Sequence, residues 1–149
     1  MKPEDHRALA AGYYNATWDL IDLPSRTADQ DRDMLTLAFA SRQHWIEAGG
    51  AAENLAIADW QVAHAASQAG LAEVALLFAQ AAVDRAESAD VPTWLVASAH
   101  EGLARAHAAA GDGSSYQREA QRCRELLAQV DDEEDRALVQ SQLDAINAP

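Results

Sequence analysis

The stretch from Asn54 to Gly111 constrains the fold most. Its Val62-Ala63, Ala66, Ala69 and Gly70 are each matched 41 residues later, by Leu103-Ala104, His107, Ala110 and Gly111. Small residues that recur ahead of a glycine at a fixed period are what stacked helical hairpins need. The small side chains let two helices approach, and the glycine tolerates the positive φ at which a helix stops. One such hairpin cannot cover its own apolar face, so the rest of the chain must supply its neighbours.

Periodicity and stop signals extend this pattern to both ends. A first helix is expected from about Glu4 to Asp22, with Leu9, Tyr13, Ala16 and Leu20 in one stripe and Tyr14, Trp18 and Ile21 beside it. Pro24 ends it, because the residue before a proline is pushed out of the helical region. Thr27-Ala-Asp-Gln30 is a capping-box pattern that starts a second helix, running to about Ala48. Its stripes are Leu35, Phe39 and Ile46, and next to them Met34, Ala38 and Trp45; Gly49-Gly50 stops it. The third helix is expected from about Ala51 to Ala69, and the fourth from after Gly70 to about Ser88. In the fourth, Val74, Leu77, Phe78, Ala81 and Ala82 have the spacing of one buried face. Asp90-Val-Pro92 breaks the chain and starts a fifth helix that reaches about Ala110. Gly111 to Ser115 reads as a polar loop. The sixth helix carries Tyr116, Ala120, Cys123, Leu127 and Val130 in one stripe. An acidic run from Asp131 to Asp135 suits the positive end of a seventh, which has Leu138, Val139, Leu143 and Ile146 on one face and polar residues on the other, as a cap should. Every linker is short, so neighbouring helices are antiparallel. The expectation is a single all-α domain over residues 1–149: seven stacked helices, the last a cap.

Charge narrows the partners. The net charge is -13 and the isoelectric point about 4.5. Nucleic acid and anionic membrane surfaces both require clustered Lys and Arg, so neither fits; acidity of this kind keeps a soluble protein dispersed, and a basic partner is the alternative. Cys123 is the one cysteine, which excludes an internal disulfide and a cysteine-based zinc site and suggests a small core residue. The N-terminus lacks the apolar run of a signal peptide, and no apolar segment reaches membrane-spanning length free of charge, so a cytoplasmic location is expected.

The paired hairpins resemble tetratricopeptide repeats. Ala63, Gly70 and Ala75 fall on that family's small-residue positions in one repeat, and Ala104 and Gly111 in the next, where His107 takes the aromatic position. The period departs from the family's roughly 34 residues, extra residues follow Gly111, and the first two helices lack the motif. The resemblance covers about Asn54 to Val130. It implies a groove lined by the first helix of each hairpin, in which Trp60, His64, Ser67 and Gln68 face Ser98, Glu101 and Arg105 and receive an extended peptide. A second likeness covers most of the chain: Trp18-Asp-Leu-Ile-Asp22, Arg26-Thr27, Ala40-Ser-Arg-Gln-His-Trp45, Asn54-Leu-Ala56 and Trp60-Gln61 look like a group of short bacterial helical-repeat proteins. It implies no activity.

Spacing supports the groove set independently of the family. Trp60, His64, Ser67 and Gln68 share one helical face, as do Ser98, Glu101 and Arg105. An aromatic ring, an imidazole, a carboxylate and a guanidinium on facing helices suit a polar binding site, with Arg105 and His64 able to hold a carboxylate. An i, i+4 pair between Glu101 and Arg105 is the simpler alternative. No catalytic motif appears. Ser41 and His44 share a face, with Trp45 alongside and Arg42 to one side, but a mid-helix serine bonds its own backbone and lacks the strained setting of a nucleophile. His100 and His107 are two turns apart, too far to share one metal, and His100-Glu101 lacks the second histidine of a metalloprotease helix. No cofactor or metal is therefore expected. The favoured role is a non-enzymatic binding module with a peptide or protein partner. Two alternatives stand beside it: a small helical enzyme or ligand-binding bundle with a closed pocket among Trp18, Trp45, Trp60 and His44, and a structural or regulatory homodimer.

Overall fold

Helices begin and end where the chain supplies caps. The computed structural model, which describes residues 1–149, contains α1 Pro3–Ile21, α2 Ala28–Glu47, α3 Ala52–Gln68, α4 Ala72–Ser88, α5 Thr93–Ala109, α6 Gly113–Leu127 and α7 Glu133–Asp144. At the start of α2 the Thr27 hydroxyl accepts from the Gln30 N–H at 3.1 Å, and the Gln30 side-chain oxygen accepts from the Thr27 N–H at 2.9 Å. Gly49, Gly70 and Gly111 take φ values of 64°, 76° and 75°, the left-handed stop that the repeat pattern requires. One start comes earlier than expected. α6 takes in Gly113-Ser114-Ser115 because the Asp112 carboxylate accepts from the Ser115 N–H at 3.0 Å and caps that turn.

Each helix packs on the next, and the odd-numbered helices also pack side by side in the order α1, α3, α5, α7. The even-numbered helices pack on their sequence neighbours and approach one another only through side chains, as Phe39 of α2 and Phe78 of α4 do, and the backbones of α1 and α7 stay apart. The result is an inner row of four helices backed by an outer row of three, built from sequential antiparallel pairs.

Alanine sets the spacing. The largest core cluster surrounds Trp60, Val83 and Leu103 with Ala63, Ala66, Ala75, Ala79, Ala82, Ala86, Ala99 and Ala106. A second joins α5, α6 and α7 through Ala97, Ala104, Cys123, Leu127, Val139 and Leu143, and a third joins α1, α2 and α3 through Ile21, Met34, Ala38 and Val62. Three expected faces shift. In α4 the buried line is Ala75, Ala79, Ala82 and Ala86; Val74 and Phe78 flank it, and Leu77 is 67% exposed. A close helix pair selects the smallest side chains for its contact line and leaves bulkier ones at its edges. In α2, Met34, Ala38 and Ser41 are buried while Phe39 and Ile46 turn outward, Phe39 meeting Phe78 edge-on at 5.3 Å. In α7, Val139 and Leu143 are buried but Leu138 is 58% exposed.

Buried charge joins the two rows. Asp59 of α3, with no exposure, accepts from Arg42 of α2 at 2.5 Å and from Arg85 of α4 at 2.6 Å. His100 of α5, 41 positions further on, has Nδ1 2.7 Å from Glu119 of α6 and Nε2 2.8 Å from Glu87 of α4. The same place in two successive inner helices is thus bracketed from the outer row with opposite signs of charge.

Gly102 marks the tightest approach in the inner row. A Cβ there would lie 2.6 Å from Trp60 Cδ1 and 3.0 Å from its Nε1. Gly102→Ala should therefore destabilise the protein by about 1–3 kcal/mol, through overpacking. Gly12→Ala, where a Cβ meets nothing within 4 Å on exposed α1, should stabilise by about 0.5–1 kcal/mol. Chemical denaturation of the two variants checks both signs; equal effects would contradict this packing.

Candidate functional site

A polar chain crosses the inner row beneath its open face. The Trp60 indole of α3 donates to Glu101 Oε2 at 2.9 Å. Arg105 grips the other oxygen of Glu101 from Nε at 3.0 Å and Nη2 at 2.6 Å, and Nη2 also donates to the Gln142 carbonyl of α7 at 2.9 Å. Trp60, Glu101 and Gln142 occupy one register position in three successive inner helices, each 41 residues after the last. Glu101 is wholly buried, and Arg105 is 8% exposed. A buried carboxylate persists only when paired and hydrogen-bonded, and here both of its oxygens are.

Above this chain runs a groove floored by α3 and α5 and flanked by α1 and α7. Its aromatic end is a hollow of about 530 Å³ whose walls include Tyr14, Trp18, Trp60, Trp94 and Leu138, with Asp22, Ser98 and Gln142 as the polar lining. Trp18, Asp22 and Gln142 also line the next hollow, about 420 Å³, which adds His64, Gln68, Arg105 and Ser141. Gln68 and Arg105 continue into a third, about 350 Å³, with Ser67 and Asn147. The rings of Trp18 and Trp60 lie 5.7 Å apart, and His64 meets each of them edge-on at 5.3 Å.

His64 is 5% exposed, and its Nδ1 is buried without a hydrogen-bond partner in the protein. Burial first, then the positive charges of Arg105 and Arg26, holds the imidazole well below its ordinary 6.5. It is therefore a neutral ring, able to donate from one nitrogen and accept at the other. Arg26 caps this end of the inner row. Its guanidinium donates to Asp31 at 2.8 Å, to the carbonyls of Leu20 and Ile21, and to Gln68.

Of the residues expected at a groove, Trp60, His64, Ser67, Gln68, Ser98 and Arg105 line these hollows. Glu101 lies beneath them as the hub of the polar chain. Arg105 is bound to Glu101 and Gln142, so a neutralised pair, and not a free cation, meets the groove. Sequence spacing missed Asp22, Trp94, Leu138 and Gln142. Trp94 precedes Ser98 by four residues and Asp22 follows Trp18 by four, so helical spacing from residues already singled out would have reached both.

The four side chains of the alternative closed pocket are divided. Trp18 and Trp60 meet in the groove. Trp45 lines a separate hollow of about 220 Å³ with Tyr14, Asn15 and Asn54. His44 sits between α1 and α2, its Nδ1 2.8 Å from His6 Nδ1 and its ring 5.6 Å from Tyr13. The Ser41 hydroxyl, buried, donates to the Ala10 carbonyl at 2.8 Å, so it ties α2 to α1 and does not address His44. His107 lies 3.8 Å from Asp112 at the end of α5. No three His, Cys, Asp or Glu side chains converge as a metal-holding group. Cys123 is fully buried, and burial together with Glu101 pushes its thiol up to about 12, away from reactivity. No helix is long and apolar enough to cross a membrane.

No family model, curated protein or solved structure matches this chain. The fold class is therefore defined by its own geometry: an all-helical protein of seven helices packed in sequential pairs.

The state of His64 has a consequence for stability. Its pKa is lower in the folded than in the unfolded chain, so the unfolded chain binds the extra proton, and stability falls as pH drops below about 6.5. His64→Gln should remove part of that loss. Melting temperatures at pH 7.5 and pH 5.5 should differ more for the native protein than for the variant; equal differences would place His64 in solvent.

Proposed function

We propose that this protein is a non-enzymatic binding module that receives an extended peptide segment or a small ligand in the groove of its inner helices. The hairpin stack is read as tetratricopeptide-like, with α3, α4, α5 and α6 as its two clearest repeats. The supporting observation is the composition of the groove floor. An aromatic hollow of about 530 Å³ is continuous with a polar one whose buried His64 Nδ1 has no partner in the protein. A buried polar atom left unpaired costs free energy, and a groove that supplies apolar walls plus a few fixed hydrogen-bonding groups has the makeup of a ligand site. Gln68, Ser67, Ser141 and neutral His64 suit the amides of an extended backbone, and the tryptophans suit an apolar or aromatic side chain.

The chemistry favours binding over catalysis. Glu101, the one buried carboxylate under the groove, is shielded by two donors, and Ser41 and Ser67 each donate to a backbone carbonyl. The Ser141 hydroxyl likewise donates to a backbone carbonyl, so none of these serines is hydrogen-bonded to a histidine base.

Thermal unfolding against a panel of peptides and metabolites tests the reading. A ligand at about 100 times its dissociation constant adds about 2.7 kcal/mol to stability. Leu138→Gln replaces an exposed leucine on the groove wall and should leave the free protein's melting temperature nearly unchanged while weakening such a ligand about tenfold. Hits indifferent to Leu138→Gln, or none at all, would contradict a groove function.

A further inference from the structure

The geometry points to a specific occupant for the aromatic end of the groove: we propose that it takes a lysine or arginine side chain from a basic peptide segment. This rests on the groove reading above. Four aromatic rings, those of Tyr14, Trp18, Trp60 and Trp94, line one hollow, and ring faces attract cations. Asp22 is the only charged side chain lining that hollow. It is exposed, it caps the C-terminal end of α1, and no cation of the fold pairs with it. A carboxylate at that end of a helix stands beside the negative end of the helix dipole, and both attract a cation. The guanidinium nearest that helix end, Arg26, is turned to Asp31 and to the carbonyls of Leu20 and Ile21.

Trp60 strengthens the argument. Its N–H donates to the buried Glu101 carboxylate at 2.9 Å, which draws positive charge to the ring edge and leaves the face more negative. Arg105 is paired with the same carboxylate and lines the adjoining hollows, not this one. A long basic side chain fits the hollow's two characters, its stem against Ile57, Leu138 and Val139 and its head at Asp22 and the rings. The net charge of -13 favours a basic partner at longer range.

The probes are blocked Gly-Ser peptides carrying spaced lysines, the same peptides with norleucine in place of lysine, and free butylammonium. Binding to the full chain is read by tryptophan fluorescence and calorimetry at two salt concentrations. The lysine peptide should bind about fivefold or more tightly than the norleucine peptide, and this advantage should shrink with salt. Asp22→Asn, checked for an unchanged melting curve, should remove most of the advantage without altering norleucine-peptide binding. If the norleucine peptide binds equally well, the groove stands and the cation site is overturned. If butylammonium binds as tightly as the lysine peptide, the ligand is a small organic cation and the peptide source is overturned. If neither peptide binds and no member of the broader panel shifts the melting temperature, the groove reading fails with it.

Discussion

The contact of the Trp60 ring with the α5 backbone governs the inner row. It requires a glycine at position 102, since any side chain there would enter the indole. It also places Nε1 against Glu101, whose burial would otherwise be prohibitive. Arg105 then neutralises Glu101 and reaches the Gln142 carbonyl, which draws α7 onto α5. One close approach thus positions three inner helices and fixes the aromatic floor of the groove.

Repetition here preserves position and changes chemistry. Trp60, Glu101 and Gln142 stand at one register, and His64 and Arg105 at another. Asp59 between two arginines and His100 between two glutamates stand at a third. What recurs is the geometry that small residues and hairpin glycines impose. Side chains at equivalent places are then free to complement one another across the interface, as the Trp60 indole and the Glu101 carboxylate do. An alanine-lined stack gains specificity in this way: apolar packing between alanines is nearly indifferent to register, while a buried ion pair tolerates only one.

Helix number, order and ends were legible because local chemistry sets them. The Thr27 and Gln30 box, Pro24, Pro92 and the three left-handed glycines act within a few residues of their own position. The start of α6 was missed because Asp112 caps it from inside a segment that otherwise has loop composition. Faces were less legible than ends. The Val74, Leu77, Phe78 pattern pointed to the bulky side of α4, whereas close packing selected the alanine line one position away. At the candidate site, spacing grouped the polar residues of α3 and α5 correctly on their faces. It offered the i, i+4 pair of Glu101 with Arg105, which forms, but gave no account of depth, so nothing in it placed that pair beneath the groove. The walls contributed by α1 and α7 depend on how the end helices close over the row, which no local spacing encodes.

The buried link from Trp60 through Glu101 and Arg105 to Gln142 is best tested by hydrogen exchange on Glu101→Gln. The variant keeps an acceptor for the indole and removes the charge that holds Arg105. Breaking a buried pair costs about 3–5 kcal/mol, so the amides of α7 should exchange at least tenfold faster while those of α1 and α2 change little. Unchanged exchange in α7, or an equal rise throughout the chain, would show that the inner row does not depend on this link.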